Sequence, residues 1–200
     1  MNQTSALWRV FVAAWPDDAL LDALAPVDRW LKQAGAHRII PRAQRHVTLA
    51  FLGDVTPDVI DPLGASLRTA LAASAPISMS PASIIALPSP SAPRVIACAL
   101  TATPEWAALR RCVLEAVEIV TPTDSVKRDL MRDAAPHITV ARSRRRERAR
   151  RLDLTRAPQP EGSIDIDEIR VLRSVLTPAG PEYTVIERAR VGRTRRDQKK

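Results

Sequence analysis

The sequence predicts an α+β protein of two pseudo-symmetric lobes, each an antiparallel sheet with helices on the outside, facing each other across a central cleft. Three observations carry that expectation. Extended apolar segments alternate with amphipathic helical ones along the chain. Their order repeats, so each half supplies a helix, extended segments and one short motif. That motif, His46-Val47-Thr48-Leu49 and again His137-Ile138-Thr139-Val140, sets a histidine and a threonine two residues apart on an otherwise apolar stretch. Side chains two apart on a strand share a face, roughly 6.6–6.8 Å from one another. Each stretch is then a strand with a chemical side and a core side, and across a cleft the two chemical sides meet.

The elements follow in order. Leu7–Ala14 reads as a buried strand. Pro16 and Asp17/Asp18 open a helix in which Leu20, Leu21, Leu24, Val27, Trp30 and Leu31 recur at near-helical spacing. One helix to about Gln33 is expected, stopped by Gly35. Arg38–Ile40 is extended, and Pro41–Gln44 turns the chain into the strand Arg45–Leu52, which Gly53-Asp54 ends. Thr56 and Pro57 mark the cap and first turn of a helix reaching about Ala73. Ile77–Leu87 and Arg94–Leu100 are extended segments parted by the turn Pro88–Pro93.

Thr103-Pro104-Glu105 repeats the cap signature, and the helix after it carries Trp106, Leu109, Val113, Val117 and Val120 on one face. Thr121–Ala135 is polar and reads as a loop. It leads through Pro136 into the strand His137–Arg142. Ser143–Arg151 is a dense arginine run whose plain reading is a solvated helix or loop. Ile164–Leu176 and Glu182–Ala189 form a hairpin through Pro178–Pro181. The single bilobal domain is expected to span 1–192, with 193–200 a basic, disordered tail.

Composition bounds the function. Two hundred residues, 46% of them apolar, can bury a real core, and no apolar run approaches the ~20 residues of a membrane span. The first residues lack the charged and apolar pattern of a signal peptide. Cys98 and Cys112 stand without metal-ligand spacing and read as reduced thiols. A cytoplasmic monomer is the expectation. The net charge of +8 and a pI near 10.6 permit a polyanionic partner such as RNA.

With these residues in view the chain resembles the 2H phosphoesterase superfamily, and within it the RNA 2′,3′-cyclic phosphodiesterase branch, also called 2′-5′ RNA ligases. His46–Gly53 looks like that branch's first motif with its Phe-Leu-Gly extension, and Pro136–Arg142 like its second, with leading proline and trailing arginine. Arg9–Ala13 with Pro16 looks like the opening strand, and Val171–Tyr183 like the closing hairpin. The similarity covers roughly 7–191. It does not extend to the arginine run or the basic tail.

The resemblance implies hydrolysis of RNA 2′,3′-cyclic phosphate ends to 2′-phosphomonoesters, with no metal and no other cofactor. RNA ends or nucleotides carrying a cyclic phosphate are the implied partners, and no membrane is. Chemistry agrees: opening a cyclic phosphodiester needs one proton taken from water and one given to the leaving oxygen, and two imidazoles titrating near ~6.5 can divide those tasks. His46 is favoured as acid and His137 as base, an order the sequence does not fix. Thr48 and Thr139 would bond the non-bridging oxygens, and Arg142 would add fixed charge.

Strand parity qualifies two residues. Positions 46, 48 and 50 share a face, so Phe51, a candidate base contact, should point to the core. Arg142 should lie opposite His137 unless a bulge or strand end intervenes. Trp8, Trp15, Trp30 and Trp106 read as core, and His37 as surface or structural. The same site could instead join RNA ends, cleave 2′-5′ linkages or open a small cyclic nucleotide. A non-catalytic RNA-binding module is the reading of a different class.

Overall fold

The computed structural model describes residues 6–35, 37–132, 134–143, 152–178 and 180–192. The arginine run beyond Ser143 and the basic tail lie outside the described residues. Ten strands are described: β1 (Trp8–Ala14), β2 (His37–Ile39), β3 (Val47–Val55), β4 (Ile77–Met79), β5 (Pro81–Leu87), β6 (Val95–Leu100), β7 (His137–Ser143), β8 (Ile164–Ile166), β9 (Glu168–Thr177) and β10 (Gly180–Arg190). The helices are α1 (Asp18–Ala23), α2 (Ala25–Ala34), α3 (Ile60–Leu71), α4 (Pro104–Val120) and α5 (Asp124–Leu130). None is long and apolar enough to cross a membrane.

The strands order as β10-β9-β1-β3-β7-β6-β5, all antiparallel, with β2 also on β7; β4 and β8 form a separate pair. Read outward from the centre, β3-β1-β9 on one side matches β7-β6-β5 on the other. In each half the motif strand lies beside the strand that precedes it across a helical excursion. The two lobes are not detached sheets. β3 and β7 share one register pair, Val47 with Ile138, both fully buried. That pair is the seam of the molecule.

Helices cover one side of this sheet, α3 against β10 and α4 and α5 against β3. Between sheet and helices lies one continuous core that includes Leu20, Leu31, Val47, Leu49, Leu63, Leu67, Ile96, Val113 and Ile138. A second, small cluster of Phe11, Ala13 and Leu172, flanked by Trp15, Tyr183 and Val185, sits apart from it. Since Phe11 and Ala13 alternate with Val10, Val12 and Ala14 of the main core, this cluster is on the opposite, cleft-lining face.

Several local expectations need correction. The first helix is two, α1 and α2, because Pro26 falls in the first turn of α2. Proline has no N–H to continue the ladder and its ring crowds the carbonyl four residues back, so the chain restarts at Leu24. Gly35 does end it, at φ 75°. β3 does not stop at Gly53-Asp54. Gly53 takes φ 80° inside the strand, and pairing with β1 continues to Val55. After Thr56 comes a short 3-10 turn (Pro57–Val59) before α3, and Pro62 lies in that helix's first turn, where it interrupts nothing.

The stretch expected as a loop, 121–135, contains α5. Thr123 caps it by accepting from the Val126 N–H (3.3 Å), and the same hydroxyl donates to the Leu52 carbonyl of β3 (2.9 Å). Asp129 at the other end accepts from the Phe51 N–H at 3.1 Å. A polar helix this short has little apolar periodicity to announce it; it is held by the free edge of β3. Cys98 and Cys112 are free thiols, and burial pushes Cys98 up to about 12, which leaves it unreactive.

Thr123→Ala removes both the helix cap and the bond to Leu52. A loss of about 1–2 kcal/mol in chemical denaturation is expected, and Thr123→Ser should recover most of it.

Candidate active site

The register of the motif strands decides where their side chains point. In β3, Ala50 pairs with Val12 and Thr48 with Ala13, so Leu49 is an extra residue; Leu52 is skipped in the same way between Phe51 and Gly53. In β7, Thr139 pairs with Ala97 and Ala141 with Ile96, so Val140 is extra. Both motifs thus carry a bulge at their fourth residue. A bulge shifts the alternation by one, and the two residues whose parity pointed away from the site are brought to it.

Phe51 is accordingly not core. It is 53% exposed, beside Phe11 on the cleft face with ring centroids 6.2 Å apart. Arg142 pairs with Val95, two along from Ala97, and so shares the face of Thr139 and His137. The extra backbone groups are satisfied locally. Ile40 donates its N–H to the Val140 carbonyl (2.8 Å), and α5 serves the β3 bulge as described.

Antiparallel pairing about Val47 and Ile138 sets His46 across from Thr139 and Thr48 across from His137, a four-cornered group on one face of the seam. All four side chains are half-buried. The two histidines are held alike. His46 Nδ1 lies 2.7 Å from the Gln44 carbonyl, and His137 Nδ1 lies 3.1 Å from the Ala135 carbonyl, in each case two residues back. A carbonyl only accepts, so Nδ1 carries the proton in both rings, and Nε2 is left for a ligand.

His46 is boxed by aromatics. Trp15 stacks on it at 5.1 Å, Phe11 is tilted against it at 5.1 Å, and Tyr183 meets it edge-on at 5.4 Å. Burial holds its pKa down at about 4, and the nearby positive charge of Arg142 pushes the same way. Burial likewise raises the Tyr183 hydroxyl, against which the Arg142 charge works. His46 is therefore neutral at pH 7. Among the described residues no group of three or more His, Cys, Asp or Glu side chains is placed to hold a metal ion.

Two residues around this group carry no distinguishing sequence pattern, and a third is misplaced by it. Phe11 and Tyr183 read as strand residues like any other. Trp15 is expected in the core, yet it lies on the cleft face, its indole N–H donating to the Ala43 carbonyl at 3.3 Å in the turn that leads to His46. Trp106 is buried as expected, and Trp8 is half-buried under the Arg173 guanidinium. His37 stands in β2, and its side chain is outside the described residues.

Arg45 is the least expected. It is 1% exposed, bonded through Nη2 to Asp28 of α2 (2.6 Å) and through Nε to the Ile40 carbonyl (3.1 Å). It sits between Gln44, whose carbonyl orients the His46 ring, and His46 itself. An alternating strand pattern predicts an apolar residue there, so the only sequence signal is an arginine where parity wants a leucine.

The fold and these paired motifs define a phosphoesterase of the two-histidine type, and the sequence profile of the 2′-5′ RNA ligase superfamily matches residues 16–177; the chain belongs to that superfamily. A relative from Archaeoglobus fulgidus, named RNA 2′,3′-cyclic phosphodiesterase, is 27% identical over 177 residues, 88% of this chain and 96% of that one. One of the same name from Methanothermobacter thermautotrophicus is 29% identical over 184 residues, 90% of this chain and 96% of its own. Among solved structures, the protein TT0787 of Thermus thermophilus superimposes with a TM-score of 0.77 at 23% identity, covering 93% of this chain and all of that one, which establishes the shared fold.

Asp28→Ala leaves the Arg45 guanidinium buried without its counter-charge, and a loss of about 3–5 kcal/mol is expected in denaturant titration; the double change Arg45→Met with Asp28→Leu should regain most of it. The His46 pKa also fixes a sign. Between pH 6.5 and about 4 the unfolded chain binds the proton that the folded chain refuses, so stability should fall with pH across that window and be at full strength above it. The drop is on the order of 3 kcal/mol, and His46→Asn should remove it.

Proposed function

We propose that this chain hydrolyses 2′,3′-cyclic phosphate ends of RNA to 2′-phosphomonoesters, using His46 and His137 as an acid–base pair. The observation that carries the reading is the matched pinning of both imidazoles. Each is held through Nδ1 by a carbonyl two residues back, on strands joined at Val47 and Ile138, which leaves two Nε2 atoms for one substrate. The names of the two archaeal relatives support the same substrate.

In this reaction water attacks phosphorus in line with the 3′ oxygen. His137 Nε2 takes the water's proton, the P–O3′ bond breaks, and His46 Nε2 delivers a proton to the departing 3′ oxygen. Phosphorus stays on the 2′ oxygen. Thr48 and Thr139 donate to the non-bridging oxygens from opposite corners, and Arg142 offsets the charge gathering on them. Phe51 offers an exposed face for a base.

The acid role of His46 depends on the substrate. Burial keeps that ring neutral, and the Arg142 charge adds to the effect. A phosphodiester anion set beside His46 opposes the Arg142 charge and raises the His46 pKa toward the working range. Binding of the anion thus prepares its own proton donor.

The test is turnover of a short RNA ending in a 2′,3′-cyclic phosphate. His46→Ala and His137→Ala should each lower kcat by roughly 10²–10⁴-fold, with a 2′-phosphate as the wild-type product and no loss in EDTA. Full activity in either variant would sink the reading. Proton NMR should show His46 titrating at about 4 in the free protein and higher with 2′-AMP bound. A His46 value that ignores the ligand would assign the acid role to His137.

A further inference from the structure

The likeness between the two histidines extends one step behind the carbonyls that hold them. Those carbonyls belong to Gln44 and Ala135. The carbonyl one residue earlier is also taken, in each half by a tryptophan indole. Trp15 Nε1 donates to Ala43 at 3.3 Å, and Trp106 Nε1 donates to Ala134 at 3.4 Å. Both acceptors stand three residues before their histidine, and the two tryptophans are as far apart in the chain as the two histidines, 91 residues.

The tryptophans also hold matching places in the fold. β1 lies beside β3 as β6 lies beside β7, and Trp15 follows β1 directly while Trp106 is in the first turn of α4, the helix after β6. Their surroundings are otherwise unlike. The Trp15 ring stacks on His46 at 5.1 Å, whereas Trp106 is 3% exposed within the main core. What the pair shares is the indole N–H and the carbonyl it meets.

Peptide geometry says what that bond does. A peptide group is planar and turns as a unit, so fixing one carbonyl restrains the peptide next to it. In the second half three consecutive carbonyls are engaged: Ala134 by Trp106, Ala135 by His137, and Pro136 by the Leu100 N–H at 2.9 Å. Arg110, one turn along α4 from Trp106, donates to the Asp129 and Arg132 carbonyls of the same approach at 3.1 and 2.9 Å. In the first half Gln44 donates its backbone N–H to the Pro41 carbonyl at 2.9 Å and its side-chain amide to the Pro181 carbonyl at 3.0 Å. The carbonyl that holds each ring is thus flanked by fixed groups. An imidazole released from it can take the other tautomer, whose Nε2 carries a hydrogen and cannot accept a proton.

We propose that Trp15 and Trp106 are matched positioning residues, which through the carbonyls of Ala43 and Ala134 keep the proton on Nδ1 of His46 and His137 and aim both Nε2 atoms at one substrate. This rests on the reading of the site as a cyclic phosphodiesterase, and it adds the residues on which the acid–base pair depends for its tautomers.

Trp15→Phe and Trp106→Phe keep an aromatic ring and remove the N–H, and Trp30→Phe is the control. Long-range proton–nitrogen NMR spectra of the histidines at high pH read the tautomers without turnover. Both rings should be Nδ1–H in the wild type and in the control. Trp15→Phe should move only His46 toward the Nε2–H form, and Trp106→Phe only His137. On a 2′,3′-cyclic phosphate each should lower kcat about tenfold with KM within about twofold. Should Trp106→Phe fail to fold, benzothienylalanine at that position keeps the ring size without the N–H and gives the same readout. Nε2–H rings in the wild type, a variant that leaves its own histidine unmoved or moves both alike, or shifted tautomers with an unchanged kcat would each overturn the proposal. Tautomers that shift as expected in a protein that opens no cyclic phosphate would uphold the tryptophan bonds and refute the hydrolysis reading instead.

Discussion

Everything in the cleft depends on one buried backbone contact, the pairing of Val47 with Ile138 at the seam between β3 and β7. The two motif strands meet there and nowhere else. On either side each strand carries a bulge at its motif's fourth residue, Leu49 and Val140, which bends it and turns its following side chains toward the cleft. The edges that the bulges release are not left bare. α5 takes the Phe51 N–H and the Leu52 carbonyl, and Ile40 takes the Val140 carbonyl. The two halves of the sheet are thus joined at one rung, and the edges released beside it are bonded to α5 and to Ile40.

The same seam explains why the site is chemically lopsided. The first lobe supplies Phe11, Trp15, Phe51 and Tyr183 around His46, while β7 supplies Arg142 on the face it shares with Thr139 and His137. Burial keeps His46 neutral, and the Arg142 charge beside it favours an anion there. Two equivalent motifs in the sequence become two inequivalent histidines in the structure. A general acid and a general base need that difference, and here it arises from what surrounds each ring.

Much of the architecture was legible. Alternating apolar segments, proline and glycine punctuation and the Thr-Pro caps gave most strands, α3 and α4, and the closing hairpin. What was missed has specific physical causes. Pro26 divides a helix whose apolar spacing runs through it unbroken. α5 buries only Val126, so no periodicity marks it; its stability comes from β3. Of the proposed site, His46, Thr48, His137 and Thr139 stand out in the sequence, whereas Phe11 and Tyr183 join them only once β1, β3 and β10 lie side by side. The burial of Arg45 depends on Asp28, which only the packing of α2 brings to it.

The sequence by itself determined the chemical repertoire: two His-x-Thr stretches, one per half, each with a polar face and an apolar one, and a phenylalanine and an arginine trailing them. That much follows because strand parity and residue chemistry are local. Only the tertiary structure decided which side those trailing residues take. Parity sent Phe51 to the core and Arg142 away from His137, and a single extra residue in each strand reversed both. A bulge is set by which neighbour each strand must match, β1 for β3 and β6 for β7. That partner is far away in the chain, so no pattern within the strand records it.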